Sequence, residues 1–214
     1  MVPGTPRIGE ISKPRFEFRS FGQDFDAIRF RIGRLSMPVP EEVWERRSDE
    51  IYIVSRTNDV NNTKIRDGKM DIKTRVRTVA GLEQWNPLMK GVFPLSEVML
   101  RDEVFPALHV NTPALAPGGC DYPAFLDLIR AHPALAAVHV RKQRFGYMVH
   151  DTICEYAVVL INGARVVSVS TESTDVDALQ RTMADTGMMG IENINYLQAI
   201  KRVIGMIPSP LAIA

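Results

Sequence analysis

The stretch TKIRDGKMDIKTRVRT, residues 63–78, places two short alternating segments on either side of Asp67–Gly68. Asp-Gly tolerates the positive φ values of a type I′ turn, so the stretch predicts a β-hairpin. Strand residues two apart share a face. Lys73, Arg75 and Arg77 are therefore expected on one side, and Ile72, Thr74 and Val76 on the other. Lys64 and Arg66 come alongside the basic row from the first strand. The pattern recurs in Lys142 and Arg144 of RKQRFGY (141–147), and in Arg15 and Arg19 flanking Glu17 in RFEFR (15–19).

A solvated sheet face often carries Lys and Arg, and each of these strands alone could be one. Together they need another account. Like charges opposite one another on neighbouring strands repel. The formal net charge is only +1, so the cations are concentrated by placement rather than by composition. Such rows predict a bound polyanion, because Arg offers phosphate oxygens a planar fork and Lys a point charge.

A second hairpin, CEYAVVLINGARVVSVSTES (154–173), turns at Asn162–Gly163. A two-residue turn there pairs Ile161 with Ala164. Counting outward, Val159 faces Val166, Ala157 faces Ser168, and Glu155 faces Ser170. Glu172 then lies diagonal to Glu155 on the same face. Two such acids are either solvated strand ends or a site for a hard cation, since Mg²⁺ and Mn²⁺ prefer carboxylate oxygens. Glu17 is a third candidate ligand.

The 214 residues are 45% hydrophobic and 24% charged, as in an ordinary globular chain with a real core. Residues 1–12 read as a loose leader and 13–214 as one domain. No apolar run approaches the roughly 20 residues that cross a bilayer, and the N-terminus has no signal-type apolar core. Cys120 and Cys154 form neither a disulfide framework nor a metal motif. A cytoplasmic protein with no membrane partner is expected. None of His109, His132, His139 and His150 has a spacing that argues for a nucleophilic triad.

Residues 26–34, DAIRFRIGR, read as a second strand with Arg29 and Arg31 on one face. EEVWERR (41–47) reads as a turn of helix and EIYIVS (50–55) as a strand. Residues 80–118, rich in Pro and Gly, read as loops and short strands. A helix is expected over Tyr122–Ala131, stopped by Pro133. Strands return in 136–150, 154–161 and 165–172. A helix starts in STDVDALQRTMADT (173–186), and a last one carries Ile194, Leu197, Ile200 and Ile204 on one face. The sum is about eight mostly sequential antiparallel strands with a few helices, an α+β protein built on a barrel or strongly curved sheet.

Taken in order, these segments resemble the CYTH superfamily, the triphosphate tunnel metalloenzymes, over roughly residues 13–205. The family's first strand carries Glu-x-Glu-x-Lys, matched by Arg15-Phe-Glu17-Phe-Arg19 with Arg15 in place of the first acid. Lys64-Ile-Arg66 matches its Arg-x-Arg strand. Asp71-Ile-Lys73, extended by Arg75 and Arg77, matches its Thr-x-Lys strand. Lys142-Gln-Arg144, with Tyr147 beyond, matches its Lys-x-Arg strand. Glu155 and Ser170-Val-Glu172 stand for its paired acids, with Ser170 replacing one of them. Asn195-Tyr196-Leu197 matches its downstream helix.

The resemblance implies an antiparallel eight-stranded barrel, or tunnel, with flanking helices. Its lumen would hold a triphosphate or short polyphosphate and Mg²⁺ or Mn²⁺. Glu17, Glu155 and Glu172 would be the metal ligands, and Glu17, Glu172 and Lys73 the catalytic groups. Arg15, Arg19, Lys64, Arg66, Lys73, Arg75, Arg77, Lys142 and Arg144 would hold the phosphates. The implied reaction is hydrolysis of a terminal phosphoryl group, driven by positioning and charge stabilisation with no side-chain nucleophile. Arg15 and Ser170 subtract two carboxylates, so a non-catalytic protein that holds polyphosphate or a nucleotide stays open as the alternative. A nucleic-acid surface is disfavoured, because no aromatic residues interleave the bases of 64–77 to stack on.

Overall fold

The computed structural model describes residues 14–40 and 44–211; the leader expected at 1–12 lies outside the described residues. Eight strands carry the fold: β1 (Arg15–Gly22), β2 (Glu45–Ser55), β3 (Asn61–Arg66), β4 (Lys69–Val79), β5 (Leu82–Val92), β6 (Leu135–Val149), β7 (Thr152–Ile161) and β8 (Ala164–Ser173). They close into a barrel in the order β1-β5-β4-β3-β2-β6-β7-β8. Every neighbouring pair is antiparallel. Closure leaves none of these eight strands at an edge to be covered.

Helical segments pack around and into this barrel. They are α1 (Asp26–Leu35), α2 over 97–107, α3 (Tyr122–Ala131), α4 (Val176–Thr186) and α5 (Tyr196–Val203). Within α2 a π turn, Leu100–Val104, separates two single helical turns. The fold is the expected α+β barrel.

Both hairpins form where the turn chemistry places them. Asp67 and Gly68 take φ of 52° and 68°, and Asn162 and Gly163 take 47° and 88°. Glycine has no Cβ to strain at such angles. The 154–173 register is the expected one, with Ile161 opposite Ala164 and Glu155 opposite Ser170.

Three expectations fail. Residues 26–34 form helix α1 rather than a strand: Ile28 and Ile32, four apart, are buried against the outer wall, and that helical spacing outweighs the local alternation of Arg29 and Arg31. The turn of helix expected over 41–47 gives way from Glu45 onward to strand, with Glu45 opposite Phe145; 41–43 lie outside the described residues. Within 80–118, an eleven-residue strand, β5, stands where loops and short strands were expected. Pro87 is tolerated there because the β4–β5 register shifts beside it, at the kind of irregularity where a missing N–H costs little.

Burial divides into three cores. Outside β1, β6, β7 and β8, Phe16, Phe18, Tyr156 and Val169 pack under α1 and α4 with Ile32, Leu179 and Met183. Outside β2 to β5, Ile53, Ile72 and Met89 pack under α2 and α3 with Phe105, Phe125 and Ile129. The third core lies inside the barrel. Phe21, Val138, Val140, Val159 and Val166 meet Leu197, Ala199 and Ile200 of α5. The C-terminal helix thus plugs one end of the lumen. Its start is fixed by a capping box: Asn195 accepts from the Gln198 backbone N–H, and the Gln198 side chain accepts from that of Asn195.

Candidate functional site

Above the α5 plug the lumen opens into a chamber of about 530 Å³. Each strand sends alternate residues inward. Basic side chains come from six strands: Arg15 and Arg19 (β1), Arg46 (β2), Lys64 and Arg66 (β3), Lys73 (β4), Lys90 (β5), and Lys142 and Arg144 (β6). The acids on the lining are Glu17, Asp71, Glu155 and Glu172. Among the described residues, nine cations against four anions make a positive cavity in a chain whose net charge is only +1.

On one side the acids are locked to arginines. Arg19 Nε donates to Glu17 at 2.8 Å and its Nη1 to Glu155 at 3.3 Å. Arg46 Nη2 reaches Glu155 at 3.4 Å, and Arg15 Nη1 reaches Glu172 at 2.9 Å. Register explains the crowding, since Glu17 lies opposite Glu172, and Arg19 opposite Ser170. Burial pushes the Glu172 carboxyl above its ordinary range, and the neighbouring Glu17 and Glu155 charges add to this. Burial works against the Arg19 charge, but Glu17, Tyr196 and Glu155 outweigh it and hold the guanidinium firmly protonated.

These contacts bear on the metal. An ion shared by Glu17 and Glu155 would have to displace Arg19, which bridges them, and an ion on Glu172 meets Arg15. Ser170 supplies a hydroxyl where a carboxylate would be needed. Among the described residues, no three His, Cys, Asp or Glu side chains converge to hold a metal. The donor set does not fit Mg²⁺ or Mn²⁺ unless these ion pairs are given up.

On the opposite wall the cations gather around an acid behind the lining. Glu50 of β2 has a fully buried side chain. Lys142 Nζ donates to it at 2.9 Å, Lys64 Nζ lies 3.7 Å away and Arg66 Nη1 3.6 Å away. Lys142 also donates to the Tyr52 hydroxyl at 2.7 Å and stands 3.9 Å from the ring centroid of Tyr196. Burial, helped by Lys64 and Arg144, lowers the Lys142 ammonium to about 7 against the opposing pull of Glu50. Burial disfavours the Glu50 carboxylate, but Lys142 and Lys64 overcome this and keep its pKa far below the ordinary range.

Three lining cations, Lys73, Lys90 and Arg144, make no hydrogen bond or ion pair among the described residues. Arg144 sits directly opposite Arg46 across β2 and β6, and the buried Nε atoms of both have no hydrogen-bond partner among the described residues. Like charges opposite one another cost stability, so this pair is held together by the barrel rather than by its own contacts.

Ten of the anticipated residues thus meet in one chamber: Arg15, Glu17, Arg19, Lys64, Arg66, Lys73, Lys142, Arg144, Glu155 and Glu172. Arg75 and Arg77 do not join them. Arg75 turns to Glu83, with Nη1 at 2.6 Å from its carboxylate. Arg77 leaves the inner face altogether, because the register shifts between Arg75 and Arg77. It bonds Gln84 and lies over the outward ring of Phe16, 5.2 Å from the centroid. The expected single row Lys73-Arg75-Arg77 is therefore broken by a bulge, which turns the next side chain to the other face.

Sequence reasoning missed Arg46, Glu50 and Lys90. A signal existed for Glu50: it alternates with Ile51 and shares a face with Tyr52, so apolar packing of Ile51 and Ile53 on the outer wall sends Glu50 inward. Lys90 was hidden in a segment whose Pro and Gly content masks a strand. The lining also holds Tyr52, Trp85 and Tyr196, brought from separate elements, so aromatic faces are present although none lies between the bases of 64–77.

No family model matches the chain. No curated protein matches it either. Among solved structures, it is similar to a conserved hypothetical protein from Pyrococcus furiosus, with TM-score 0.47 and 10% identity over 86% of this chain and 98% of that one. It is also similar to a Bacillus halodurans protein named as an adenylate cyclase, with TM-score 0.46 and 12% identity over 86% of this chain and 97% of that one. A third is HpAC1 from Hippeastrum, described as having a dominant triphosphatase activity, with TM-score 0.45 and 10% identity over 87% of this chain and 95% of that one. At these similarities none carries a function to this chain.

Proposed function

We propose that this protein takes a triphosphate or short polyphosphate into the barrel chamber. The observation that supports this is the group Lys73, Lys90 and Arg144, lining cations that form no side-chain hydrogen bond or ion pair among the described residues, inside a cavity of about 530 Å³. Charges that repel one another in a partly enclosed space are stabilised by a polyanion, and charge-assisted contacts to phosphate oxygens are the strong class of hydrogen bond. Arg144 supplies a fork and Lys73 and Lys90 supply mobile point charges.

The fate of the bound chain has two readings that differ in chemistry. In the first, Glu17, Glu155 and Glu172 would give up their arginine partners to hold Mg²⁺ or Mn²⁺, which would supply charge stabilisation for hydrolysis of the terminal phosphoryl group. In the second, the chamber holds the chain without cleaving it. The Arg15–Glu172, Arg19–Glu17 and Arg19–Glu155 pairs favour the second, because guanidinium groups already occupy the acids a metal would need. Calorimetric titration with tripolyphosphate, in chelator and then in Mg²⁺ or Mn²⁺, tests the binding; phosphate release under the same conditions separates the readings. Absence of any binding would remove the proposal. Metal-dependent release of phosphate would restore the hydrolase.

A further inference from the structure

The basic wall contains a carboxylate that no ligand in the chamber would touch. Glu50 is absent from the lining, yet three lining cations converge on it: Lys142 at 2.9 Å, Arg66 at 3.6 Å and Lys64 at 3.7 Å. Its side chain is fully shielded from solvent, and one of its oxygens has no hydrogen-bond partner among the described residues. A buried charge is costly unless it is paired. Conversely, three cations from two different strands would splay apart without a shared anion.

We propose that Glu50 is the positioning residue of the basic wall: from behind the lining it holds Lys142, Lys64 and Arg66 at fixed spacing for the oxygens of a phosphate chain. The identity of the ligand rests on the polyanion reading above; the role of Glu50 rests on the contacts themselves.

Lys142 depends most on this support. From β2 it faces Glu50 and the Tyr52 hydroxyl, with Ser48 as its cross-strand partner. Lys64 of β3 and Arg144 of its own strand oppose its charge. From β7 its cross-strand partner is the apolar Val159, and from α5 it meets the ring of Tyr196. Among the described residues, Glu50 is thus the one acid that pairs with it. With Glu50 present the ammonium already titrates at about 7; without it, burial and two neighbouring cations act unopposed and the proton is lost at neutral pH.

The test turns on a sign. Glu50→Gln adds one formal positive charge to a site that binds an anion, so charge counting alone expects tighter tripolyphosphate binding. Positioning expects weaker binding, by about tenfold or more near neutral pH, where wild-type Lys142 still carries part of its charge and the variant's does not, the range of one charge-assisted hydrogen bond. The deficit should shrink as pH falls and Lys142 regains its proton. Equal or tighter binding by Glu50→Gln across the pH range would overturn the proposal.

Glu50→Gln takes the shared acid from three cations, of which Lys142 is buried, and could impair folding. The pair Lys142→Met and Glu50→Gln/Lys142→Met covers that case, since it replaces the tightest ion pair by neutral groups. In the Lys142→Met background Glu50→Gln should still weaken binding, through Lys64 and Arg66; unchanged or tighter binding there would overturn the assignment. If the wild type binds no tripolyphosphate, the polyanion reading falls by itself. Glu50 is then judged by the Lys142 side-chain NMR titration in ligand-free protein: a lower midpoint in Glu50→Gln upholds it and an unchanged midpoint rejects it.

Discussion

Arg15 stands on β1 with its guanidinium against Glu172, one strand position from a cluster that would otherwise hold Glu17, Glu155 and Glu172 facing one another. Arg15→Glu should leave Glu172 and the new acid uncompensated beside Glu17, while Arg19 and Arg46 keep their pairs. The variant is expected to melt lower in chelator, by about 2–4 °C for each 1 kcal/mol lost in a chain of this size. Mg²⁺ should recover part of that loss, because hard cations bind clustered carboxylates. The wild type should show no such response; a wild-type melting temperature that rises equally with Mg²⁺ would contradict the ion-pair account. The phosphate wall predicts a contrast between neighbours on one strand. Lys73→Ala should weaken tripolyphosphate binding by about 1.5–3 kcal/mol. Arg77→Ala should leave it unchanged, because Arg77 lies on the outer face against Phe16 and Gln84. Equal losses in the two variants, measured by calorimetry, would show that the bulge does not divide them.

Elements differ in how openly the sequence announces them. The turns Asp67–Gly68 and Asn162–Gly163 fix two hairpins and their registers, since few dipeptides tolerate positive φ at successive positions. From these registers Lys64 and Lys73 fall on one face, and Glu155 and Glu172 on another, by counting residues; that both faces turn inward is set by closure of the barrel. Two kinds of feature were hidden. A bulge leaves no mark in composition, so the exit of Arg77 from the row could not be read. A strand containing Pro and Gly contradicts its own propensity, so β5, and with it Lys90, was masked. Helix α1 shows the converse error, in which two arginines two apart imitated a strand while Ile28 and Ile32 set the true period. The α5 plug was legible as an amphipathic helix, but its destination inside the barrel was not. Leu197→Ala removes a fully buried side chain from that plug and should destabilise the fold by about 2–5 kcal/mol. Denaturant unfolding gives this value directly; a loss below about 1 kcal/mol would mean that the interior collapses around the gap.

At the scale of the whole molecule, the barrel gathers charges that the chain keeps far apart in sequence. A weakly charged protein thereby acquires one strongly positive cavity, and its affinity for a polyanion should fall as salt is added. Binding should also move protons. Lys142 titrates at about 7 in the folded protein, below its ordinary 10.5. Between these values the unfolded chain binds the proton more tightly than the folded one, so this group costs stability progressively as pH falls from 10.5 toward 7. A bound phosphate chain reverses the bias and draws a proton in. Titrations above neutral pH in buffers of different ionisation enthalpy should therefore give different apparent heats, with a slope indicating net uptake; identical heats would exclude it. Because α5 stoppers one end of the cylinder, a linear polymer can insert only a terminus, and only as many units as the depth above Tyr196 admits. Internal stretches of a long strand would be out of reach, and whatever went in would have to back out the way it came.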